Sequence, residues 1–291
     1  MPLKEVDWDS FEFRCHYFGE LMTPTRGKSN IDKYNEAKDL YDSFMSKLMT
    51  SGKNPTEAQF LRMNKLEKEM EAAKLIKDVP NLSGTAKRRL AQIYTEETTG
   101  RKKDIQGMQL EKGLLTEEES ITAYSKATNT FYKKNKERLS NGYINGEIDF
   151  DDEEEDMIID AKSTWDIFTF DSKMNGMSFI NEWQGHCYMW LKNRKKFRIA
   201  FVLNNTPDEL IKRMIKSLEY NFIGSAEELE QAKAELIDRH TYNDLPDERK
   251  IRLFDLQRDE SKIEAAKLAI PYFRNYLKNF DKKPENYDFE D

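Results

Sequence analysis

The chain has 291 residues, with 47 Lys and Arg against 54 Asp and Glu and a formal net charge of -7, so it can bury a real core, and the charge argues against a simple nucleic-acid coat while leaving local basic runs able to bind phosphate. Its 17 Phe, 13 Tyr and 4 Trp give more aromatic surface than a disordered chain carries. Cys15 and Cys187 are its only cysteines, which excludes a disulfide framework, a four-cysteine zinc site or a cysteine-ligated iron–sulfur cluster within one chain.

The N-terminal stretch MPLKEVDWDSFEF has no apolar signal region, and no run approaches the ~18 apolar residues of a membrane span. A cytoplasmic protein without a membrane partner is expected. From about residue 31 to 77 the pattern predicts a helical hairpin, its second arm opening at NPTEAQF with Asn54 as cap, Pro55 in the first turn and Glu57 completing a capping box. Apolar residues are sparse on this arm (Phe60, Leu61, Met63, Leu66, Met70), which marks a surface insertion. A third helix follows Leu82 and Ser83 and ends near Gly100. After the basic loop RKKD, the stretch EKGLLTEEESITAYSKAT predicts a further helix reaching Thr128.

From Thr130 to Phe170 short aromatic and β-branched runs alternate with Asn, Gly and acidic residues, which predicts the sheet. INEWQGHCYMWLKN then reads as a helix, FRIAFVLNN as a buried strand, and TPDELIKRMIKSLEY as a helix capped by Thr206 with Pro207 following. From about residue 225 to 291 the chain reads as charged and helical, closing in a frayed polar tail. The expectation is one domain over residues 1–291, with an α/β or α+β fold, a central mixed sheet flanked by helices, a core at about 80–225, a helical insertion and a helical C-terminal extension.

The stretch GEIDFDDEEEDMIIDAK carries the chemistry. Strand side chains alternate, so Asp160 and Lys162 share one face and Ile159 and Ala161 the other. With residues 151–156 as the connection, a hairpin brings Asp149 beside Asp160. Two neighbouring carboxylates repel unless a cation lies between them, and oxygen ligands with an open coordination sphere suit Mg²⁺ or Mn²⁺. A lysine beside them can position or help deprotonate a water attacking phosphorus. A half-buried strand whose Asp160 and Lys162 merely face solvent is the simpler account of this spacing, which by itself decides little.

The combination of Gly146 and Asp149, an apolar strand ending in Asp160 and Lys162, and a helix bearing Gln184 and Tyr188 resembles the PD-(D/E)XK nuclease superfamily. Within it the chain is similar to the YqaJ-type viral recombinases, the group related to phage lambda exonuclease, with Gly113, Glu117 and Tyr124 matching the family's upstream helix. The resemblance covers roughly residues 80 to 225. It implies a restriction-endonuclease-like core, with Asp149 and Asp160 as principal metal ligands, Glu117 as the helix carboxylate near the metal, Lys162 as the catalytic lysine and Gln184 orienting the site. The backbone carbonyl of Ala161 is implied as a further ligand of one or two Mg²⁺ ions, which Mn²⁺ can replace. Glu111, Glu118 and Glu119 are alternatives to Glu117. Asp160 stands where glutamate is commoner, and His16 where a serine is expected.

The resemblance further implies a 5′-to-3′ exonuclease acting on ends of linear double-stranded DNA and leaving 3′ single strands for phage recombination. An annealing-protein partner, a homotrimer and a location in a bacterial host's cytoplasm come with it. A structure- or sequence-specific endonuclease, or a DNA-binding assembly protein without turnover, remain alternatives. For DNA contact the sequence offers Arg14, His16 and Tyr188, and four basic clusters: Lys87 to Arg89, Arg101 to Lys103, Lys133 to Arg138 and Lys192 to Arg198. They bracket the motifs and predict a basic track with salt-sensitive phosphate contacts that do not read bases.

Overall fold

The computed structural model of the protein describes residues 3–52, 54–77, 81–103, 107–132, 134–135 and 137–282. Lys133 and Lys136 of the third basic cluster, and residues 283–291 of the tail, lie outside the described residues. The order of elements is β1 (Phe13–Arg14), α1 (Phe18–Leu21), α2 (Asn30–Ser51), α3 (Glu57–Ile76), α4 (Gly84–Thr99), α5 (Met108–Leu115), α6 (Glu117–Thr128), β2 (Arg138–Ser140), β3 (Ile144–Glu147), β4 (Phe150–Asp152), β5 (Met157–Ser163), α7 (Ile167–Asp171), α8 (Phe179–Lys192), β6 (Lys196–Val202), α9 (Asp208–Asn221), α10 (Ala226–Asp238), β7 (Ile251–Gln257) and α11 (Glu260–Lys278). The fold is α+β, with two mixed sheets and helices around them.

The chain divides into two compact units. One comprises residues 1–9, 20–100 and 266–291 and holds the hairpin α2–α3 and helix α4. The second arm of the hairpin starts two residues later than Asn54 would place it: Thr56 is the cap and Gln59 closes the capping box, so Asn54 and Glu57 do not have the roles expected of them. The hydroxyl of Thr56 accepts the Gln59 N–H while the Gln59 side chain takes the Thr56 N–H, satisfying two helix-end donors at once. Helix α4 is capped by Ser83 and ends at Gly100 in the left-handed conformation, as its sequence predicts. Around it Trp8, Tyr94 and Phe280 stack at 5.6 and 4.5 Å between ring centroids, and Arg89 pairs with Glu20.

The other unit comprises residues 10–19 and 101–265 and holds both sheets. The larger sheet has the order β4-β5-β6-β7, with β5 and β6 parallel and the outer pairs antiparallel; the smaller has the order β1-β3-β2. Strand β7 corrects the sequence reading, which takes this stretch as helix because charges surround it. Its residues 251–257 alternate in exposure along an edge strand instead. Two further corrections are local. Residues 167–171 form a helical turn rather than strand, because the Asp166 side chain caps it through the Thr169 N–H at 2.7 Å. Pro207 rather than Thr206 occupies the cap of α9, and the Thr206 hydroxyl instead lies 3.2 Å from His240 Nδ1.

Helices cover the larger sheet on both faces. On one, Ile121 and Tyr124 of α6 pack with Phe150, Met157, Ile159 and Ala200. On the other, α8 meets β6 where Gly185 lies over the Phe197 ring, so close that a Cβ at 185 would fall 2.5 Å from a ring carbon. Buried on both faces, β5 begins with the continuous apolar run Met157, Ile158, Ile159. Phe197 is fully buried and cannot yield. Gly185→Ala is therefore expected to lower stability by about 1–2 kcal/mol, because overpacking outweighs the gain in helix propensity; urea unfolding of the variant against wild type measures it.

Candidate active site

The ladder between β4 and β5 stops at the pair Phe150–Ile159. The next outward donor on β5, the Ala161 N–H, goes instead to the side chain of Asp149, at 2.8 Å from Oδ2. This one bond fixes Asp149, in the connection between β3 and β4, against the strand that carries Asp160. A strand residue directs its N–H and C=O to the same side, so the Ala161 carbonyl faces the same edge. Asp160, 5% exposed, and the half-buried Lys162 lie on the α8 face, where Lys162 Nζ sits 2.7 Å from Asp160 Oδ2. The pair is close but off the angles of a hydrogen bond, so this enclosed oxygen receives no aligned donor.

The electrostatics follow from that geometry. Burial, then the charge of Asp160, push the Asp149 carboxyl well above its ordinary value, with Glu117 adding to the effect. Burial opposes the charge on Lys162, but Asp160 outweighs it and holds the ammonium above the ordinary lysine value. On α8, the Gln184 amide donates to the Tyr188 hydroxyl at 3.0 Å. Burial and the Asp160 charge raise the Tyr188 phenol well above its usual value. Gln184 thus meets Tyr188, which stands within electrostatic reach of Asp160 and Asp149. Gly146 allows this approach, since a Cβ there would lie 3.0 Å from the Tyr188 ring and 3.1 Å from Cys15 Sγ.

Glu117 opens α6, and its carboxylate is held by Lys134 at 2.6 Å. Among the neighbouring acids, Glu118 and Glu119 are exposed and Glu111 pairs with Arg213 at 2.5 Å, whereas Glu117 stands within electrostatic reach of Asp149. The sequence reading runs one helix through this region, but the structure breaks it at Thr116. Lys112 fastens the break: 1% exposed, it donates to the carbonyls of Trp165 and Asn204, both at 2.7 Å, beneath the rings of Trp165 and Tyr242. Asn204 Nδ2 donates in turn to Ser120 Oγ at 2.6 Å. Burial lowers the Lys112 pKa to about 8. These contacts tie the start of α6 to the ends of β5 and β6, and no spacing in the sequence signals them.

Among the described residues no three His, Cys, Asp or Glu side chains converge as a finished metal site. Asp149 and Asp160 form a pair, and Glu117 stands apart with Lys134. The donors nevertheless fit a hard divalent cation: two carboxylates that repel each other, an enclosed oxygen lacking an aligned donor, and a strand carbonyl on the same edge. A groove of about 1250 Å³ between α6, the end of β6 and β7 contains neither aspartate.

The DNA-contact expectations fare unevenly. Tyr188 is buried and hydrogen-bonded to Gln184, so it braces the site and does not present a contact surface. Arg14 lies opposite Asn145 in the smaller sheet with its guanidinium 5.9 Å from the Tyr17 ring, and the exposed His16 packs edge-on against Tyr17 at 4.4 Å. Lys87 is exposed on α4, in the other unit. The fourth basic cluster is not an open track, because the parallel pairing of Met157 with Lys196 brings the run before β6 against the acidic turn before β5. Arg194 and Lys192 pair with Asp151 at 2.6 and 3.2 Å, Arg194 with Glu153 at 2.9 Å, Lys196 with Glu155 at 3.3 Å and Lys195 with Asp156 at 3.6 Å. Residues 151 and 152 belong to β4, so the connection to β5 is shorter than the acidic run.

No protein-family model matches the sequence, and no curated protein matches it. Among solved structures the chain is similar to a phage-related exonuclease from Haemophilus somnus 129PT, at 22% identity over 94% of this chain and 96% of that one, with a TM-score of 0.61. It is also similar to the alkaline exonuclease LHK-Exo from Laribacter hongkongensis, at 11% identity over 71% and 87% of the two chains, with a TM-score of 0.49. The first likeness establishes a shared fold over nearly the whole length.

The raised Asp149 carboxyl has a sign that can be measured. A folded-state pKa above the unfolded one stabilises most at low pH, and that contribution is lost as pH rises through the raised value. With chelator present, the thermal midpoint is expected to fall between about pH 5 and about pH 8, less steeply in Asp149→Asn, and Mg²⁺ should restore the wild type at the higher pH. Identical slopes for both proteins in thermal unfolding would remove Asp149 as the cause.

Proposed function

We propose that the protein is a Mg²⁺-dependent deoxyribonuclease that removes nucleotides from the ends of linear double-stranded DNA. The observation that carries the reading is the convergence around β5 of Asp149 and the Ala161 backbone at its edge with Asp160 and Lys162 on its α8 face, within a fold shared with a phage-related exonuclease. Asp149 and Asp160, with the Ala161 carbonyl, would hold the cation; bound there, it would neutralise charge developing on the phosphate and favour ionisation of a water nucleophile.

The chain's own groups do the rest. Lys162, kept charged by Asp160, serves as a fixed donor that orients the water or a phosphate oxygen. Gln184 and Tyr188 brace the face of β5 that bears the acid–lysine pair, and the Lys112–Asn204 contacts hold the start of α6 so that Glu117 borders the site. Phosphate contacts of this kind position a duplex without reading its sequence.

The finer reading rests on the resemblance of the motifs: 5′-to-3′ polarity, 3′ single-stranded products handed to an annealing protein during phage recombination, a homotrimeric assembly and action in a bacterial host's cytoplasm. A time course on end-labelled linear duplex with Mg²⁺, run beside a covalently closed circle, tests activity and polarity together. Loss of the 5′ label with the circle intact is expected, and efficient cutting of the circle would favour an endonuclease. Asp160→Ala and Lys162→Ala should each lower the rate about 10²- to 10³-fold; full activity in both would place the chemistry elsewhere.

A further inference from the structure

Besides Lys162, a second ammonium stands beside these carboxylates, and the fold holds it there from both sides. Lys134 lies between the Tyr132 side chain, whose hydroxyl donates to Asp152 at 2.9 Å, and Asn135, whose N–H donates to the backbone carbonyl of Asp149 at 2.8 Å. Its Nζ meets Glu117 Oε2 at 2.6 Å, with Asp149 and Glu147 also within electrostatic reach. Both partners are about one-third exposed, so each can exchange its companion for one arriving from solvent.

We propose that Lys134 is a positioning residue that holds Glu117 back from the Asp149–Asp160 pair, competes with a divalent cation for the Glu117 carboxylate, and on release carries its charge to a DNA phosphate. The inference rests on the function proposed above. Asp149 feels the charges of both Asp160 and Glu117, and each like charge disfavours its ionisation. Lys162 compensates Asp160; Lys134 compensates Glu117. An ion that recruits Glu117 must first displace this ammonium, so the pair sets the ion's apparent affinity. The four-carbon lysine stem then lets the released charge turn to a phosphate without movement of the backbone. Neutralisation alone would require none of this exchange, so the two roles separate experimentally.

The full-length protein and its Lys134→Met and Lys134→Arg variants are titrated with Mn²⁺ in the absence of DNA, followed by electron paramagnetic resonance. Binding to a 5′-phosphorylated duplex with Ca²⁺ is then measured as a function of salt. Lys134→Met should bind Mn²⁺ about two- to fivefold more tightly, since it lacks the competitor. Lys134→Arg should bind it more weakly, because a guanidinium grips a carboxylate with two hydrogen bonds. Glu117→Gln added to Lys134→Met should abolish the gain. On DNA, the Met variant should lose about one unit of the logarithmic salt slope while Arg keeps it. Unchanged or weaker Mn²⁺ binding in Lys134→Met, equal Mn²⁺ affinities for Met and Arg, or an unchanged salt slope would overturn the proposal. If wild type bound Mn²⁺ and cut DNA while the variants matched it, only the role of Lys134 would fall; if wild type did neither, the proposed function would fall with it.

Discussion

The candidate site depends on the hydrogen bond from the Ala161 N–H to the Asp149 side chain. A sheet ladder would ordinarily spend that donor on a neighbouring backbone. Here β4 ends one step too early, and the carboxylate of the residue preceding it takes the place of the missing strand. The substitution draws Asp149 to Asp160 despite their repulsion and leaves the adjoining carbonyl edge of β5 without a paired strand. Lys162 on the same strand, and Gln184 and Tyr188 on the helix beneath, then need only ordinary packing to complete the arrangement.

Charge compensation is organised locally around it. Each acidic group near the site has a designated partner: Asp160 has Lys162, Glu117 has Lys134, Asp152 has the Tyr132 hydroxyl, and Asp151 has Arg194 and Lys192. Asp149 is the exception. It receives a neutral N–H and stands among other carboxylates, and its raised pKa follows from that position. The neutral donor fixes its place without cancelling its charge, which leaves the carboxylate available to a cation.

Much of this was legible in the sequence, and what was not has a physical reason. Alternation along IIDAK placed Asp160 and Lys162 on one face, and Ser83, Gly100 and the aromatic-rich stretch at 180–193 marked helix ends and a helix that the structure contains over Phe179–Lys192. Strand β7 was hidden because edge strands carry charge on their exposed side, and a charged alternating run resembles the helical segments around it. Capping at Thr56 rather than Asn54 shows that neighbouring cap-competent residues compete on geometry that composition does not encode. The role of Lys112 and the pairing of Lys134, which the sequence placed only in a basic cluster, were missed for a different reason. Their partners lie far away along the chain, as with Asn204 and Lys112, or across an unmarked loop, as with Glu117 and Lys134. A lysine's letter does not say whether water or two carbonyls surround its ammonium.

The facing acidic and basic runs before β5 and β6 also tie distant codons together. Arg194 is mostly enclosed, and its guanidinium divides its donors between Asp151 and Glu153. Deleting the carboxylate at 151 alone leaves this largely enclosed guanidinium with only the exposed Glu153 as an acidic partner, whereas replacing Asp151 and Arg194 together with apolar groups removes the unmet donors along with the bonds. Changes at 151 and 194 are therefore non-additive, and sequence drift at either position is conditional on what the other has become.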